Sequence, residues 1–179
     1  MKLVILDRDG VINHDSDDYI KSPDEFIPIE GSLNAIAQLN HAGFTVVVAS
    51  NQSGLARGLF DMDTLNRMHD KLHNLLQHEG GHIDAIFFCP HHPDDNCDCR
   101  KPLPGMLHQI AERFSVDLRN VTFIGDSLGD IKAAQAAGAN FMLVKTGKGK
   151  RVIKKGEGID NIAIFDNLAD ATAQLISIT

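Results

Sequence analysis

Short apolar-rich runs alternate along the chain with longer segments in which apolar residues recur every three or four positions. Consecutive apolar positions are typical of a strand that is buried on both faces, whereas the wider spacing is typical of an amphipathic helix. The alternation therefore predicts the α/β class, with a central parallel sheet and helices on both faces. The predicted strands are residues 2–6, 45–49, 85–88, 121–124, 140–144 and 162–165.

Cap and stop signals set the limits of the predicted helices. The candidate boundary residues of the first three helices are Ser32, Gly43, Asp61 or Asp63, and Pro104. Two further helices are predicted over residues 128–137 and 168–176. The basic segment from Lys150 onward is interpreted as a solvated loop, and a phosphate-binding rim is the alternative.

The length and charge of the chain narrow its class. A chain of 179 residues favours one domain, residues 1–179, with a core large enough to need no disulfide. A net charge of −7 argues against nucleic acid or an anionic membrane as a partner. No apolar stretch is long enough to span a bilayer, and the first strand leaves no room for a signal peptide, so a cytoplasmic location is expected.

Two carboxylates, Asp7 and Asp9, follow the first predicted strand, and Gly10 comes next. Acids at the end of a buried strand are costly to desolvate unless a cation or a reaction uses them. One carboxylate can attack phosphorus to form an aspartyl phosphate, and a second can protonate the leaving oxygen and later activate water. A simple metal-binding pair, or acids that cap a turn, are the alternatives.

A polar turn follows the second predicted strand. Ser50 supplies a hydroxyl, and the turn Asn51-Gln52-Ser53 supplies free backbone N–H groups. Such a turn can cradle a phosphate group. Taken alone, an ordinary polar turn is the favoured interpretation.

An acidic residue follows the fourth predicted strand. Asp126 could join the first pair of acids around Mg²⁺, which prefers carboxylates, water and phosphate oxygens as ligands. Asp130 lies about one helical turn later and is interpreted as a capping or indirectly acting group. The alternative for Asp126 is that it caps the next helix.

Two adjacent cations, Arg100 and Lys101, precede the third predicted helix. A lysine in a phosphoryl-transfer site neutralises the nucleophile and the phosphoryl oxygens, and an arginine can clamp a second phosphate through two hydrogen bonds. A solvated basic pair is the alternative.

In combination, these groups follow the strands in an order that resembles the haloacid dehalogenase superfamily of phosphohydrolases. The resemblance implies a Rossmann-like fold with no large cap domain, and a monomer. It implies that Asp7 is the nucleophile, that Asp9 is the general acid/base, and that Ser50 and Lys101 stabilise the transferring phosphoryl group. It also implies a Mg²⁺ site formed by Asp7, Asp9 and Asp126.

A second group of potential ligands lies within eleven residues: Cys89, His91, Cys97 and Cys99. Three thiolates and one imidazole suit tetrahedral Zn²⁺, and four protein ligands are typical of a structural zinc site. His92 is an alternative ligand, and reduced cysteines in a mobile loop are the alternative to a metal. The sequence thus predicts a zinc-binding loop at residues 89–103, which would fix the basic pair in space.

The zinc loop and the acidic motifs together resemble the heptose bisphosphate phosphatase family of this superfamily. The resemblance implies removal of the 7-phosphate of heptose 1,7-bisphosphate in ADP-heptose and lipopolysaccharide core biosynthesis, and histidinol phosphate is the alternative substrate. The implied substrate-binding residues are Asn51, Gln52, Ser53, Arg100 and Lys101. Ser127 stands where some members of the family carry lysine.

Two non-enzymatic interpretations compete with a phosphatase. A phospho-acceptor signalling domain also uses strand-end acids, a hydroxyl and a lysine around Mg²⁺, but Asp9 favours turnover of the acyl phosphate. A zinc module that binds nucleic acid conflicts with the acidic net charge.

Two histidines, His69 and His73, lie four residues apart on the second predicted helix. This spacing could bind a metal ion, but a solvated helix face is the favoured interpretation.

Overall fold

A six-stranded parallel sheet forms the centre of the structure, a computed structural model that describes residues 1–179. The strands are β1 (Lys2–Leu6), β2 (Phe44–Asn51), β3 (Ala85–Cys89), β4 (Thr122–Gly125), β5 (Asn140–Val144) and β6 (Ala163–Phe165). Their order across the sheet is β3-β2-β1-β4-β5-β6, and every neighbouring pair is parallel. The predicted α/β class is confirmed.

The helices form the two outer layers. They are α1 (Ser32–His41), α2 (Met62–His78), α3 (Gly105–Phe114), α4 (Leu128–Ala137), α5 (Gly149–Lys155) and α6 (Leu168–Ser177). Helices α1, α2 and α6 pack on one face of the sheet, and α3 and α4 pack on the other. Short 3-10 helices lie at Pro23–Glu25 and Leu118–Asn120. None of the helices combines the length and apolar character needed to cross a membrane.

Strand β1 contributes to the hydrophobic core on both faces of the sheet. Val4 and Leu6 point into the core under α1, α2 and α6, while Leu3 and Ile5 point into the core under α3 and α4. Successive side chains of a strand alternate between faces, so an uninterrupted apolar run is what a central strand of this kind requires. The position of β1 in the middle of the sheet places its carboxyl end deep in the molecule.

The boundary of α1 differs from the prediction. Gly31, in the left-handed region at φ 85°, is the N-cap of α1, and no side chain caps this helix. Ser32 lies inside the helix, where its hydroxyl donates to the carbonyl of Val11 at 2.8 Å. The predicted capping role of Ser32 was therefore wrong, because a tertiary contact takes the hydroxyl. For α2, Asp61 rather than Asp63 is the cap, and it accepts from the backbone N–H of Thr64.

The segment from Lys150 onward is helical, contrary to the predicted loop. Helix α5 buries Val152 beside Ile131 and Leu143 and ends at Gly156, which has φ 69°. Ile153 packs against the same cluster, but the basic residues on either side of these two apolar positions leave too short an apolar pattern to predict a helix. Packing decides the conformation of a helix this short.

Candidate active site

The candidate site lies at the point in the sheet where the strand order reverses. Leu6 at the end of β1 pairs with Ile124 of β4, and the N–H of Asp7 continues the pairing by donating to the Ile124 carbonyl at 3.0 Å. Crossovers from these neighbouring strands leave toward opposite faces, so a crevice opens at their carboxyl ends. Asp7 and Asp126, each following one of these strands, therefore meet.

Three carboxylates form the centre of the site. Oxygens of Asp7, Asp126 and Asp130 lie within 4.8 Å of one another, and all three side chains are buried. The ammonium group of Lys101, also buried, lies 3.1 Å from Asp7 and 2.7 Å from Asp130. It also donates to the carbonyl of Ala49 at 2.8 Å. Three carboxylates and one ammonium leave two negative charges uncompensated, and a divalent cation would balance them.

The shifted pKa values of the cluster reflect this charge. Burial, and then the charge of Asp130, raises the pKa of Asp7 to about 7. Burial and the neighbouring Asp7 and Asp130 charges raise the pKa of Asp126 well above its usual range. Burial opposes a charged Lys101, but the Asp130 and Asp7 carboxylates outweigh it and raise the lysine pKa. Lys101 is therefore charged, whereas Asp7 and Asp126 need a further cation nearby to be fully ionised.

Glycine backbone packs closely against Asp126. Gly10 and Gly147 have φ angles of 89° and 56°, and a Cβ atom on either would collide with the Asp126 carboxylate. The N–H of Lys148 donates to Asp126 at 2.8 Å, and the hydroxyl of Thr146 donates to the Gly10 carbonyl at 2.6 Å. Glycine at these two positions thus lets the chain close around the acid without strain or collision.

The Asp9 carboxylate is not a member of this cluster. Its Oδ1 accepts from Arg8 Nε at 2.9 Å and from Asn13 Nδ2 at 2.8 Å, and its Oδ2 accepts from Gln52 at 3.1 Å. Burial favours the neutral acid, but Arg8 and these hydrogen bonds outweigh it and lower the Asp9 pKa. Asp130, rather than Asp9, supplies the third carboxylate beside Asp7 and Asp126.

The polar residues at the end of β2 and immediately after it link the parts of the site together. The Gln52 amide donates to the Ser50 hydroxyl at 2.8 Å as well as to Asp9. The Asn51 amide donates to the Lys101 carbonyl at 3.0 Å and accepts from the Lys101 N–H at 3.1 Å. Asn51 therefore holds the backbone of the lysine in register with β2.

A cavity of about 250 Å³ opens above these groups. Ser53 and Arg100 line it together with Asp7, Asp9 and Lys101, and so do Asn51, Gln52 and Asp126. Part of the cavity wall comes from the segment between β1 and α1. Asp17 of this segment is held by Arg151 of α5 through two hydrogen bonds of 3.1 and 3.0 Å, and Asp15 lies 3.8 Å from the Lys148 ammonium.

The predicted zinc ligands come together in one cluster. The Cys89, Cys97 and Cys99 sulfurs and His91 Nδ1 lie within 4.8 Å of one another. Cys89 lies 3.7 Å from Cys97 and 3.0 Å from Cys99, and the His91 nitrogen lies 3.3 to 3.4 Å from Cys99 and Cys89. Zn–S bonds of about 2.3 Å in a tetrahedron give sulfur separations of about 3.8 Å. The set therefore fits one small thiophilic ion with modest adjustment.

His92 lies outside this cluster. Its Nδ1 accepts from the backbone N–H of Asp94 at 3.1 Å and lies 3.4 Å from the Asp94 carboxylate. Of the two adjacent histidines, His91 is thus the one that faces the thiols.

Two buried residues near the site were missed or misjudged from sequence. Arg8, between the two motif acids, is fully buried, and sequence reasoning gave it no role. His69 was predicted on a solvated helix face but is only 8% exposed, and its Nε2 lies 3.2 Å from Arg8 Nη1. An arginine beside a strand-end acid pair was the available signal for the first, and the position of His69 four residues after Leu65 and three before Leu72 was the signal for the second.

Sequence and structure comparisons agree with this geometry. A family model described as HAD-hydrolase-like matches residues 98–171. A D-glycero-beta-D-manno-heptose-1,7-bisphosphate 7-phosphatase from Bordetella bronchiseptica is 56% identical over 98% of this chain and 98% of its own. A protein of the same name from Pseudomonas putida is also 56% identical, over 98% of this chain and all of its own.

Two solved structures extend the comparison. The B. bronchiseptica D,D-heptose 1,7-bisphosphate phosphatase complexed with magnesium and phosphate matches with a TM-score of 0.98 and 55% identity over the full length of both chains. The D,D-heptose 1,7-bisphosphate phosphatase of Burkholderia thailandensis matches with a TM-score of 0.79 and 45% identity over 99% of each chain.

The fold and the strand-end acids define a phosphohydrolase of the haloacid dehalogenase type. Sequence identity of 55 to 56% over nearly the whole chain then identifies the family within this class. The chain belongs to the family of D-glycero-β-D-manno-heptose-1,7-bisphosphate 7-phosphatases.

Proposed function

We propose that residues 1–179 form a single catalytic domain that removes the 7-phosphate of D-glycero-D-manno-heptose 1,7-bisphosphate. The observation that carries the proposal is the buried cluster of Asp7, Asp126, Asp130 and Lys101 at the open end of the sheet. Its two uncompensated negative charges suit Mg²⁺. A relative of 55% identity over its whole length is a heptose bisphosphate phosphatase complexed with magnesium and phosphate.

The first step transfers the phosphoryl group to Asp7. A carboxylate oxygen of Asp7 attacks phosphorus while the bond from phosphorus to the heptose oxygen breaks. Asp9, once protonated, gives its proton to the leaving oxygen. The Lys101 ammonium, 3.1 Å from Asp7, offsets the negative charge of the transferring phosphoryl group. The Ser50 hydroxyl also stabilises this phosphoryl group.

The second step hydrolyses the aspartyl phosphate. Asp9 takes a proton from a water molecule whose oxygen attacks phosphorus, and the bond from phosphorus to Asp7 breaks. The hydrogen bonds from Arg8, Asn13 and Gln52 favour the ionised Asp9 carboxylate, which is the form that this step requires. Asp9 returns to the protonated form that the next cycle needs.

Residues Asp7 and Asp126 would hold Mg²⁺ with the Asp9 carbonyl oxygen, as the family resemblance implies. When bound, the ion supplies charge neutralisation for the phosphoryl oxygens. Asp130, which contacts Lys101 and accepts from the N–H groups of Asp126 and Ser127, keeps the lysine and the strand end in place.

We assign the second cluster to Zn²⁺, with Cys89, His91, Cys97 and Cys99 as its ligands. Burial, then the hydrogen bond with Cys89, raises the pKa of Cys99 to about 12, so a bound cation is needed to keep this thiol ionised. Four protein ligands leave no open position, which is typical of a structural site. The ion would order the loop at residues 89–103 immediately before the basic pair.

Substrate recognition is assigned to the cavity wall formed by Arg100, Asn51, Gln52 and Ser53. Arg100 lines the cavity, and its Nη1 is buried without a hydrogen-bond partner in the protein. A buried guanidinium nitrogen of this kind is available to a second phosphate or to sugar hydroxyls. This feature favours a bisphosphate over histidinol phosphate, which carries one phosphate only.

Steady-state kinetics test the proposal. With Mg²⁺, we expect kcat/KM for the heptose bisphosphate to exceed that for histidinol phosphate by at least about a hundredfold. Chelation with EDTA should abolish turnover, and added Mg²⁺ should restore it. A preference for histidinol phosphate would overturn the substrate assignment while leaving the phosphatase class intact.

The variant Asp7→Asn tests the covalent step and separates a phosphatase from a signalling domain. We expect kcat to fall by about a thousandfold or more, because an amide oxygen is a poor nucleophile. Substantial residual turnover would contradict the aspartyl phosphate. A wild-type protein that holds its acyl phosphate without releasing inorganic phosphate would indicate the signalling function instead.

The pathway and the compartment follow from the family resemblance. We propose a cytoplasmic step that feeds ADP-heptose synthesis for a lipopolysaccharide core, with a small sugar phosphate as the only partner that the reaction needs.

A further inference from the structure

Arg8 connects the candidate active site to the buried face of helix α2. Its side chain is fully buried although it lies between the two motif acids. Nε and Nη2 lie 2.9 and 2.8 Å from Asp9 Oδ1, and Nη1 lies 3.2 Å from His69 Nε2 on α2. The guanidinium also lies over the Phe26 ring, 5.4 Å from its centroid. One side of the guanidinium therefore holds Asp9, while the other is held by α2.

The contact with Arg8 fixes the state of His69. A guanidinium nitrogen only donates hydrogen bonds, so His69 Nε2 must accept with its lone pair and the ring must be neutral. Burial and the Arg8 charge favour the neutral ring and lower the His69 pKa to about 4. His69 thus acts as a fixed acceptor for Arg8 across the physiological pH range.

Helix α2 is itself anchored to the segment that covers Arg8. Lys71, two residues after His69, donates to the carbonyls of Pro23 and Phe26 at 2.7 Å each. The same segment supplies the Phe26 ring that lies against the guanidinium. Two independent contacts therefore hold the helix and Arg8 in one arrangement.

We propose that Arg8 and His69 are positioning residues that fix the direction of the Asp9 carboxylate for the activation of water. The inference rests on the proposed function, in which Asp9 is the general acid/base. Neither Arg8 nor His69 lines the cavity, whereas Asp9 does. Any effect of His69 on turnover must therefore pass through Arg8 and Asp9.

The proposal predicts that loss of His69 slows hydrolysis of the aspartyl phosphate and leaves its formation unchanged. With 4-nitrophenyl phosphate the leaving group departs without a proton, so kcat/KM reports the attack of Asp7 alone. Hydrolysis of the aspartyl phosphate needs Asp9 as the base and limits kcat when Asp9 is misplaced. A misplacement of about 1 Å in a catalytic group can lower a rate by about a hundredfold.

The variant His69→Leu removes the acceptor and keeps an apolar side chain. For 4-nitrophenyl phosphate with Mg²⁺, we expect kcat to fall about tenfold or more while kcat/KM stays within about twofold, so that KM falls with kcat. A rapid release of nitrophenolate approaching one per active site should precede the slow turnover. His69→Gln, whose side-chain carbonyl can accept from Arg8, should restore kcat.

His73→Leu is the matched control, since it removes an exposed histidine one turn further along α2. It should leave kcat and KM unchanged. Arg8→Lys keeps a positive charge but cannot reach both Asp9 and His69, and it should reproduce the split between kcat and kcat/KM if His69→Leu proves too unstable to assay.

A proportional fall in kcat and kcat/KM without the initial nitrophenolate release would overturn the proposal, because loss of folded protein has that effect. Equal effects of His69→Leu and His73→Leu would also overturn it. Failure of the proposed function can be distinguished from failure of this inference. In that case the wild-type protein would release no phosphate from 4-nitrophenyl phosphate or from the heptose bisphosphate.

Discussion

Lys101 is the residue that balances the charges of the candidate site. Its ammonium group forms ion pairs with Asp7 and Asp130 and donates a hydrogen bond to the carbonyl of Ala49. A buried lysine that is paired with two carboxylates retains its charge. The same charge serves folding, by separating two acids, and would serve the proposed chemistry, since it lies beside Asp7, the proposed nucleophile.

Replacing this lysine tests both roles. In Lys101→Met, we expect kcat to fall by about a hundredfold or more, because a charge aimed at the phosphoryl group is lost. In metal-free buffer, the free energy of unfolding should fall by about 3 kcal/mol, since one partner of a buried charge network is removed. Phosphate release and urea denaturation measure the two effects.

Lys145→Met is the control, because Lys145 forms an ion pair with Asp166 at 2.8 Å and both side chains are well exposed. It should change the free energy of unfolding by less than about 1 kcal/mol. Equal loss of stability in the two variants would contradict the assigned role of Lys101.

At the scale of elements, the loop between β3 and α3 joins the two candidate metal sites. Cys89 ends β3 in register with Asn51 at the end of β2, and Asn51 in turn holds the Lys101 backbone. The sulfur cluster and the lysine are thus fixed to the same pair of strands. Ordering this loop is the physical link between the proposed zinc ion and catalysis.

The variant Cys97→Ser breaks the cluster without altering the site acids. We expect about one zinc ion per wild-type chain by elemental analysis and its loss in the variant, because thiolates bind Zn²⁺ far better than hydroxyls. Turnover should fall with the zinc content, since the loop that carries Lys101 loses its order.

His92→Ala supplies the comparison, because this adjacent histidine faces Asp94 instead of the thiols. It should retain both zinc and turnover. Loss of zinc in His92→Ala but not in a His91→Ala variant would exchange the roles of the two histidines.

At the scale of the whole molecule, a net charge of −7 includes a buried cluster that resists ionisation. Asp7 and Asp126 both have raised pKa values in the metal-free protein, so the folded state binds protons that the unfolded chain releases. Their contribution to stability is therefore complete below about pH 4 and is lost as pH rises through about 7.

Urea denaturation across this range provides the measurement. In EDTA, the free energy of unfolding contributed by this cluster should decrease between about pH 4 and pH 7, and Asp7→Asn should flatten the decrease. Saturating Mg²⁺ should remove most of the dependence, because the cation stabilises the ionised carboxylates. A wild-type profile identical to that of Asp7→Asn would contradict the raised pKa of Asp7.

The predicted monomer is also a property of the whole molecule, and it stays a prediction. The sequence resemblance alone supports it, and the separation of the protein by size with a light-scattering detector would test it.

The sequence by itself determined the α/β class, six strands close to their observed limits, the four members of the cysteine–histidine cluster, and two of the three clustered carboxylates. Consecutive apolar positions in β1 and the motif acids after it are local features, which can be recognised in the sequence without knowledge of the tertiary structure. Tertiary structure decided that Arg8 lies between Asp9 and His69, that Ser32 bonds Val11 instead of capping α1, and that residues 149–155 are helical. Each of these depends on contacts between segments far apart in sequence, and the packing of the chain, rather than the propensity of neighbours, sets their energy.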